Sequence, residues 1–504
     1  MNVSLTASNI ASATSSSAGL ALLEARLQQD LAVLELPAKS WVPSLTREGS
    51  RVLDVAIIGG GQAGLAAAAS LHHLGIGAVI YDQSPAGFEG PWATTARMET
   101  LRSPKKLTGP ALGFAALTFR AWYEAQWGIE AWEALDKISR LQWMDYLRWY
   151  RRVLNLDVRN EHRIDAIRPR ADGVVELSIS APSGTFTVFA RRVVLATGRD
   201  GLGGATVPPI AQSLPRECWA HSSDVMDYNL LAGLRVGVIG AGASAMDSAA
   251  TALEAGAARV DLLIRRHELP RVNKGKGAGS PGLTNGHFNL PDAWKWRVRH
   301  YINQQQTPPP SASVMRVARH ANARFLLGAP INAIAVSEEG LRVRTPRGVF
   351  ALDFLIFSTG FVINLAARPE FSIIAPHVRT WSERYTPPVG DEDEELAESP
   401  DLGPVFEFQQ KQAGALPGLE RVHCFCYPAV LSHGTLSGDI PAISDGAQRL
   451  AQGIAALLFG EDIDMHYLNM QRYVEPELNG DEWTPAAASA EEIAALVAAT
   501  EGAR

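Results

Sequence analysis

Two stretches of the chain repeat one pattern of hydrophobic and polar positions. Residues 54–83 read "DVAIIGGGQAGLAAAASLHHLGIGAVIYDQ": an apolar run, a glycine turn, an alanine-rich run and a second apolar run. Residues 236–266, "VGVIGAGASAMDSAATALEAGAARVDLLIRR", repeat that order. Short apolar runs bounded by glycine predict buried strands, and the longer stretch between them predicts a helix. Each stretch is therefore a β–α–β unit. The pattern predicts an α/β fold with two Rossmann-like, doubly wound dinucleotide-binding domains.

The remaining pattern fills in around these units. A serine- and alanine-rich start predicts a flexible lead, and residues 18–36 predict an amphipathic helix. Residues 90–155 read as helical and tryptophan-rich, whereas 164–180 and 184–197 alternate as antiparallel strands, ending in the buried run "RRVVLATG". After the second unit come a Gly/Lys-rich loop, a helix over "DAWKWRVRHYINQQQ" and the break "TPPPSAS". Residues 341–361 predict a hairpin-like pair, 390–399 a solvated acidic loop, and the tail from 486 a helix. The expected domains are an extension (1–50), a first domain in two parts (51–212 and 364–485), a second domain between them (213–363, with an insertion at 270–310), and the tail (486–504).

Composition narrows the function. The net charge of −7 over 504 residues gives no general basis for binding nucleic acid. Three cysteines, Cys218, Cys424 and Cys426, form neither a disulfide framework nor a C-x-x-C dithiol, which fits a reducing cytoplasm. No signal peptide or membrane-length apolar run is seen, and no metal-ligand cluster stands out. A soluble cytoplasmic protein with a small-molecule partner is expected, and a homo-oligomer remains open.

The glycine turns carry the chemistry. In the first, Gly59 permits the tight turn, Gly61 lets backbone approach a pyrophosphate, and Gly64 lets helix and strand pack closely. Gln62 and Ala63 open the helix, whose N-terminus favours an anion. Asp82, followed by Gln83, ends the second strand where an acid accepts hydrogen bonds from a ribose diol. The second turn runs Gly240, Gly242, Ala243, Ser244, Ala245, and its strand ends on Arg265 and Arg266. A guanidinium there grips the 2′-phosphate that a carboxylate would repel. The acid-ended site thus predicts FAD and the arginine-ended site NADPH.

Over residues 51–460 the chain resembles the class B flavoprotein monooxygenases: flavin-containing monooxygenases, Baeyer–Villiger monooxygenases and amine N-hydroxylases. The resemblance rests on both turns and on "GPW" (90–92), "LATG" (195–198), "FSTGF" (357–361) and "SGD" (437–439). It implies that the NADPH domain is inserted in the FAD domain. It also implies that Gly90 and Trp92 line the flavin, that Thr197 and Gly198 lie on the connecting strand beside it, and that Asp439 meets the ribityl chain. The monooxygenase fingerprint ahead of the second turn is broken: His221 matches, but Pro215, Glu217 and Asp224 do not. Residues 98–119 are similar to an N-hydroxylase segment, with Met98 and Glu99 in place of a Met-Gln pair and Lys105 or Lys106 directed at a substrate carboxylate. Lys274, Lys276, Arg297 and Arg299 make the insertion basic, which suits the same group.

The resemblance implies an FAD- and NADPH-dependent monooxygenase that passes one atom of O₂ from a flavin hydroperoxide to a nucleophile. N-hydroxylation of an amine or amino acid is the leading expectation. Baeyer–Villiger or sulfur oxygenation, and an FAD reductase serving a protein partner, are the alternatives. No catalytic side chain is singled out.

Overall fold

The computed structural model describes residues 16–501. Two compact units divide at Leu458 and Phe459. The first opens with α1 (Ser17–Val33), capped by the Ser16 hydroxyl and burying Leu23, Leu27 and Leu31 at helical spacing. The flexible lead expected before it lies outside the described residues.

The first β–α–β unit is β1 (Leu53–Ile58), α2 (Gln62–His73) and β2 (Ala78–Tyr81). Helices α3 (Phe119–Ala134) and α4 (Arg140–Val153) follow, then β3 (Val158–Arg159), β4 (Arg163–Pro169), β5 (Val175–Ala181) and β6 (Gly184–Leu195). The strands lie in the order β3-β2-β1-β6-β5-β4, with β1 parallel to both of its neighbours. The helical expectation holds from residue 119. Residues 90–118 are irregular apart from one 3-10 turn at Ala115–Leu117, because Pro91, Pro104, Pro110 and interspersed glycines interrupt any helix. The aromatic residues of α3 and α4 form core. Phe119 packs 5.8 Å from Trp143 and 5.6 Å from Tyr146, measured between ring centroids.

The second sheet holds β7 (Trp219–His221), β8 (Arg235–Ile239), α5 (Ala243–Glu254) and β9 (Arg259–Ile264). Beyond them lie α6 (Asp292–Gln305), α7 (Ser311–Ala318), β10 (Ala323–Leu327) and β11 (Phe354–Phe357). Its strands run parallel in the order β7-β11-β8-β9-β10. The hairpin expected at 341–361 is part of a three-stranded meander over 333–352, while β11 joins the parallel sheet instead. Strand β12 (Val422–Cys424) then returns to the first sheet beside β6. The second sheet is therefore nested within the sequence of the first. The two crossings, Gly203–Ala205 and Phe361–Ile363, pair antiparallel.

The acidic stretch is not simply a solvated loop. Asp393 caps a helical turn at Glu394–Ala397, Leu396 is buried, and the Asp393 carboxylate accepts from Asn303 on α6 at 3.1 Å. Helix α8 (Ile443–Glu461) closes the first unit's core. The second unit carries helices Ile463–Arg472 and Ala490–Glu501, the latter within the stretch expected to be helical. Among the described residues no helix is long and apolar enough to cross a membrane.

The hydroxyl of the fully buried Tyr146 donates to the Leu117 carbonyl at 2.6 Å. Tyr146→Phe leaves that carbonyl unpaired in the core, a loss of about 1–3 kcal/mol. A lower thermal midpoint with unchanged flavin content is expected.

Candidate active site

The first turn is interlocked. Gly59 has φ 107°, and a Cβ there would lie 2.5 Å from the Ala196 carbonyl oxygen on the strand end beyond β6. A Cβ on Gly64 would lie 1.9 Å from the Gly59 carbonyl oxygen, so helix and turn meet with no room for a methyl. Gly61 caps α2 without a side-chain partner, which leaves the first N–H groups of the helix open. Gly90 approaches it closely: a Cβ on Gly61 would sit 3.8 Å from the Gly90 Cα.

Asp82 is buried beside this turn. Its carboxylate accepts from the Gly60 N–H at 2.6 Å and the Ser84 N–H at 2.7 Å. The acid is thereby fixed in place with lone pairs to spare. Gln62 accepts from the Trp143 indole at 3.3 Å, Ala63 is buried, and Gln83 is exposed at the rim. Trp92 is half-buried, and its carbonyl accepts from Arg140. The Thr197 hydroxyl is buried with no hydrogen-bond partner among the described residues, and Gly198 beside it is exposed. Asp439 follows in space through Tyr427, which touches both Gly198 and Gly438. Loss of solvent pushes the Asp439 carboxyl above its ordinary range, opposed by the Ile440 N–H and the Arg102 guanidinium.

Sequence reasoning missed Glu89, which is buried, takes an ion pair from Arg151 at 2.8 Å and accepts from Asn160 at 2.6 Å. With Gly60, Phe88, Met144 and Arg148 it lines a cleft of about 650 Å³. The one available signal was a charged residue directly before "GPW".

The second turn is built alike with a looser joint. Gly240 has φ 138°, and a Cβ there would lie 2.6 Å from the Ser358 carbonyl oxygen and 3.3 Å from the Ala245 Cβ. Ala245 is fully buried, so the methyl fits where the first turn requires glycine. Gly242 caps α5 with no side-chain partner; Ala243 is half-buried and Ser244 exposed. Arg265 is exposed and Arg266 half-buried at the end of β9, and among the described residues neither has a carboxylate within 4 Å. His221 ends β7, buried, with Nδ1 2.7 Å from the Ser223 hydroxyl and its ring 5.7 Å from Phe361 at the crossing. Burial pulls its pKa down, against the pull of Asp224.

The lysines expected to meet substrate do not converge. Lys105 donates to the carbonyls of Trp132 (2.8 Å) and Glu133 (3.1 Å) and lies over the Trp132 ring. Its ammonium is thus held at the end of α3, in the manner of a helix C-terminal cap. Lys274 is exposed on the first residue of a short helix, Lys274–Ala278. Met98 and Glu99 line a smaller cavity of about 340 Å³ with Arg97, Arg140, Thr251 and Arg316. Sequence reasoning also missed Arg199 and Tyr427, which stack at 4.2 Å between guanidinium carbon and ring centroid.

The model of the L-lysine 6-monooxygenase/L-ornithine 5-monooxygenase family matches residues 132–306, and an FAD-NAD(P)-binding model matches 56–200. The chain is 40% identical over 448 residues to an FAD-dependent urate hydroxylase of Xanthomonas campestris pv. campestris, covering 88% of this chain and 94% of that one. Among solved structures, the ornithine hydroxylase of Pseudomonas aeruginosa aligns with TM-score 0.62 at 14% identity, over 80% of this chain and 98% of that one. The ornithine N-hydroxylase of Kutzneria sp. 744, solved with reduced FAD, NADP⁺ and L-ornithine, aligns with TM-score 0.61 at 17% identity, over 80% and 99%. The glycine turns, the orphaned Thr197 hydroxyl and the fixed acid fit a flavin nucleotide, and the chain belongs to the FAD- and NADP-dependent flavoprotein monooxygenases, in the family of that urate hydroxylase.

Proposed function

We propose that the chain hydroxylates urate or a closely related purine anion, consuming NADPH and O₂ and releasing NADP⁺ and water. The observation that carries this is the 40% identity to a urate hydroxylase along nearly the whole of both chains. Of the two lysines expected to meet an amino-acid carboxylate, Lys105 is engaged by the end of α3 and Lys106 stands exposed. A second reading, N-hydroxylation of an amine or amino acid, draws on the family match over 132–306 and on the ornithine hydroxylase fold.

FAD, when bound, supplies the reduction and oxygen-activation chemistry. The chain's own groups hold and shield it. In this reading the open N-terminus of α2 takes the pyrophosphate, with Gly59, Gly61, Gln62, Ala63 and Gly64 shaping the approach. Asp82, already tied to the turn, accepts from the ribose hydroxyls, and Gln83 stands at the rim. Thr197 offers its unpaired hydroxyl beside Gly198, Gly90 and Trp92 flank the ring system, and Asp439 meets the ribityl chain. NADPH lies along Gly240–Ala245, with Arg265 and Arg266 on its 2′-phosphate.

Purified enzyme given NADPH is expected to consume urate with matching O₂ uptake and to couple poorly with ornithine, lysine, sulfides or ketones. A hydroxylamine formed efficiently from an amine, with urate untouched in mass spectra, overturns the urate reading. A charge-assisted bond is worth about 1.5–3 kcal/mol, so Arg265→Ala with Arg266→Ala should raise KM for NADPH roughly ten- to a hundred-fold and leave that for NADH nearly unchanged.

A further inference from the structure

Tyr427 stands where flavin-side segments meet the 270–310 insertion. Its N–H donates to the Gly198 carbonyl at 3.3 Å, and a Cβ on Gly438 would lie 3.3 Å from its ring. Two guanidiniums converge on it from different parts of the chain. Arg199 lies 4.2 Å from the ring centroid and 5.7 Å from that of Phe361. Arg299 reaches in from α6, its guanidinium carbon 5.8 Å from the Tyr427 centroid, and donates to the Tyr427 hydroxyl at 2.6 Å. The Arg299 Nε is buried and has no hydrogen-bond partner among the described residues.

Among the described residues no carboxylate lies within 4 Å of either guanidinium. By contrast the buried Arg316 is matched by Glu254 at 2.5 Å, whereas Arg299 is half-buried and Arg199 exposed without such a partner among the described residues. With no carboxylate on either, both guanidiniums are available to an anion, for which they offer charge-assisted hydrogen bonds. Planar guanidinium forks also match planar acceptors better than ammonium groups do. The other basic residues of the insertion point to other tasks. Arg297 stacks on the exposed Trp294, and Lys274 stands in solvent.

We infer that Arg199 and Arg299, braced by Tyr427, recognise the substrate as a planar, delocalised anion. This inference rests on the proposed function and adds the residues that would select the substrate's charge.

The test uses the FAD-loaded full chain and its Arg299→Gln, Arg199→Gln and Arg299→Lys variants. Urate is titrated into oxidised enzyme while flavin absorbance is followed, and caffeine serves as the neutral purine. Each Gln variant should raise the Kd for urate roughly ten- to a hundred-fold, change that for caffeine little, and leave anaerobic flavin reduction by NADPH at the wild-type rate. Arg299→Lys should recover part of the loss. Wild-type urate affinity in both Gln variants overturns the inference, as does a defect confined to NADPH. If wild type ignores urate, the purine reading fails separately, and the titration is repeated with the substrate it does accept. An anionic substrate weakened by Arg299→Gln then upholds the inference, and a neutral or cationic one sinks it.

Discussion

The molecule depends on how closely a helix approaches the turn before it. At Gly64 the helix backbone lies so near the Gly59 carbonyl that a methyl would overlap it at 1.9 Å. Main chain on both sides of that contact cannot give way as a long side chain would. The contact sets the angle at which α2 leaves β1, and Gly61, which caps that helix with no side-chain partner, lies against Gly90. It also brings the Gly60 N–H to 2.6 Å from Asp82, so one joint positions both the anion-binding helix end and the acid. The second turn relaxes the constraint by one methyl, with Ala245 buried 3.3 Å from where a Gly240 Cβ would be. The same β–α–β unit is thus used twice, tight in one copy and looser in the other.

The two units differ further in how they hold charge. Asp82 is buried and tied by two backbone N–H groups, so its carboxylate points in one fixed direction. Arg265, exposed, and Arg266, half-buried, have no ion-pair partner among the described residues, which leaves them open to the phosphate proposed for them. Nesting the second sheet between β6 and β12 makes the chain cross twice between the sheets, and the crossings pair with each other, with Phe361 5.7 Å from the His221 ring.

Much of this was legible in the sequence because it is local. A glycine turn, the strand before it and the charge about twenty residues later are fixed by spacing alone. The interruption of 90–118 was written in its prolines and glycines, but the tryptophan-rich helices beside it obscured the signal. What was not legible came from tertiary placement. Lys105 looked free and is consumed by the end of α3, whereas Arg299 looked like one basic residue among four and alone reaches Tyr427. The acidic run at 390–399 reads as solvent-facing until α6 packs against Asp393. No pattern along a single stretch encodes such pairings, since the partners lie from 27 to 128 residues apart and meet only in the folded chain.

The most direct measurement is the FAD bound per folded chain in Gly64→Ala compared with Ala245→Gly. If the backbone contact under the first turn builds the flavin pocket, the former emerges largely colourless with native-like circular dichroism, and the latter keeps its full complement of FAD. Full FAD in a folded Gly64→Ala chain, or equal losses in both, would contradict that account.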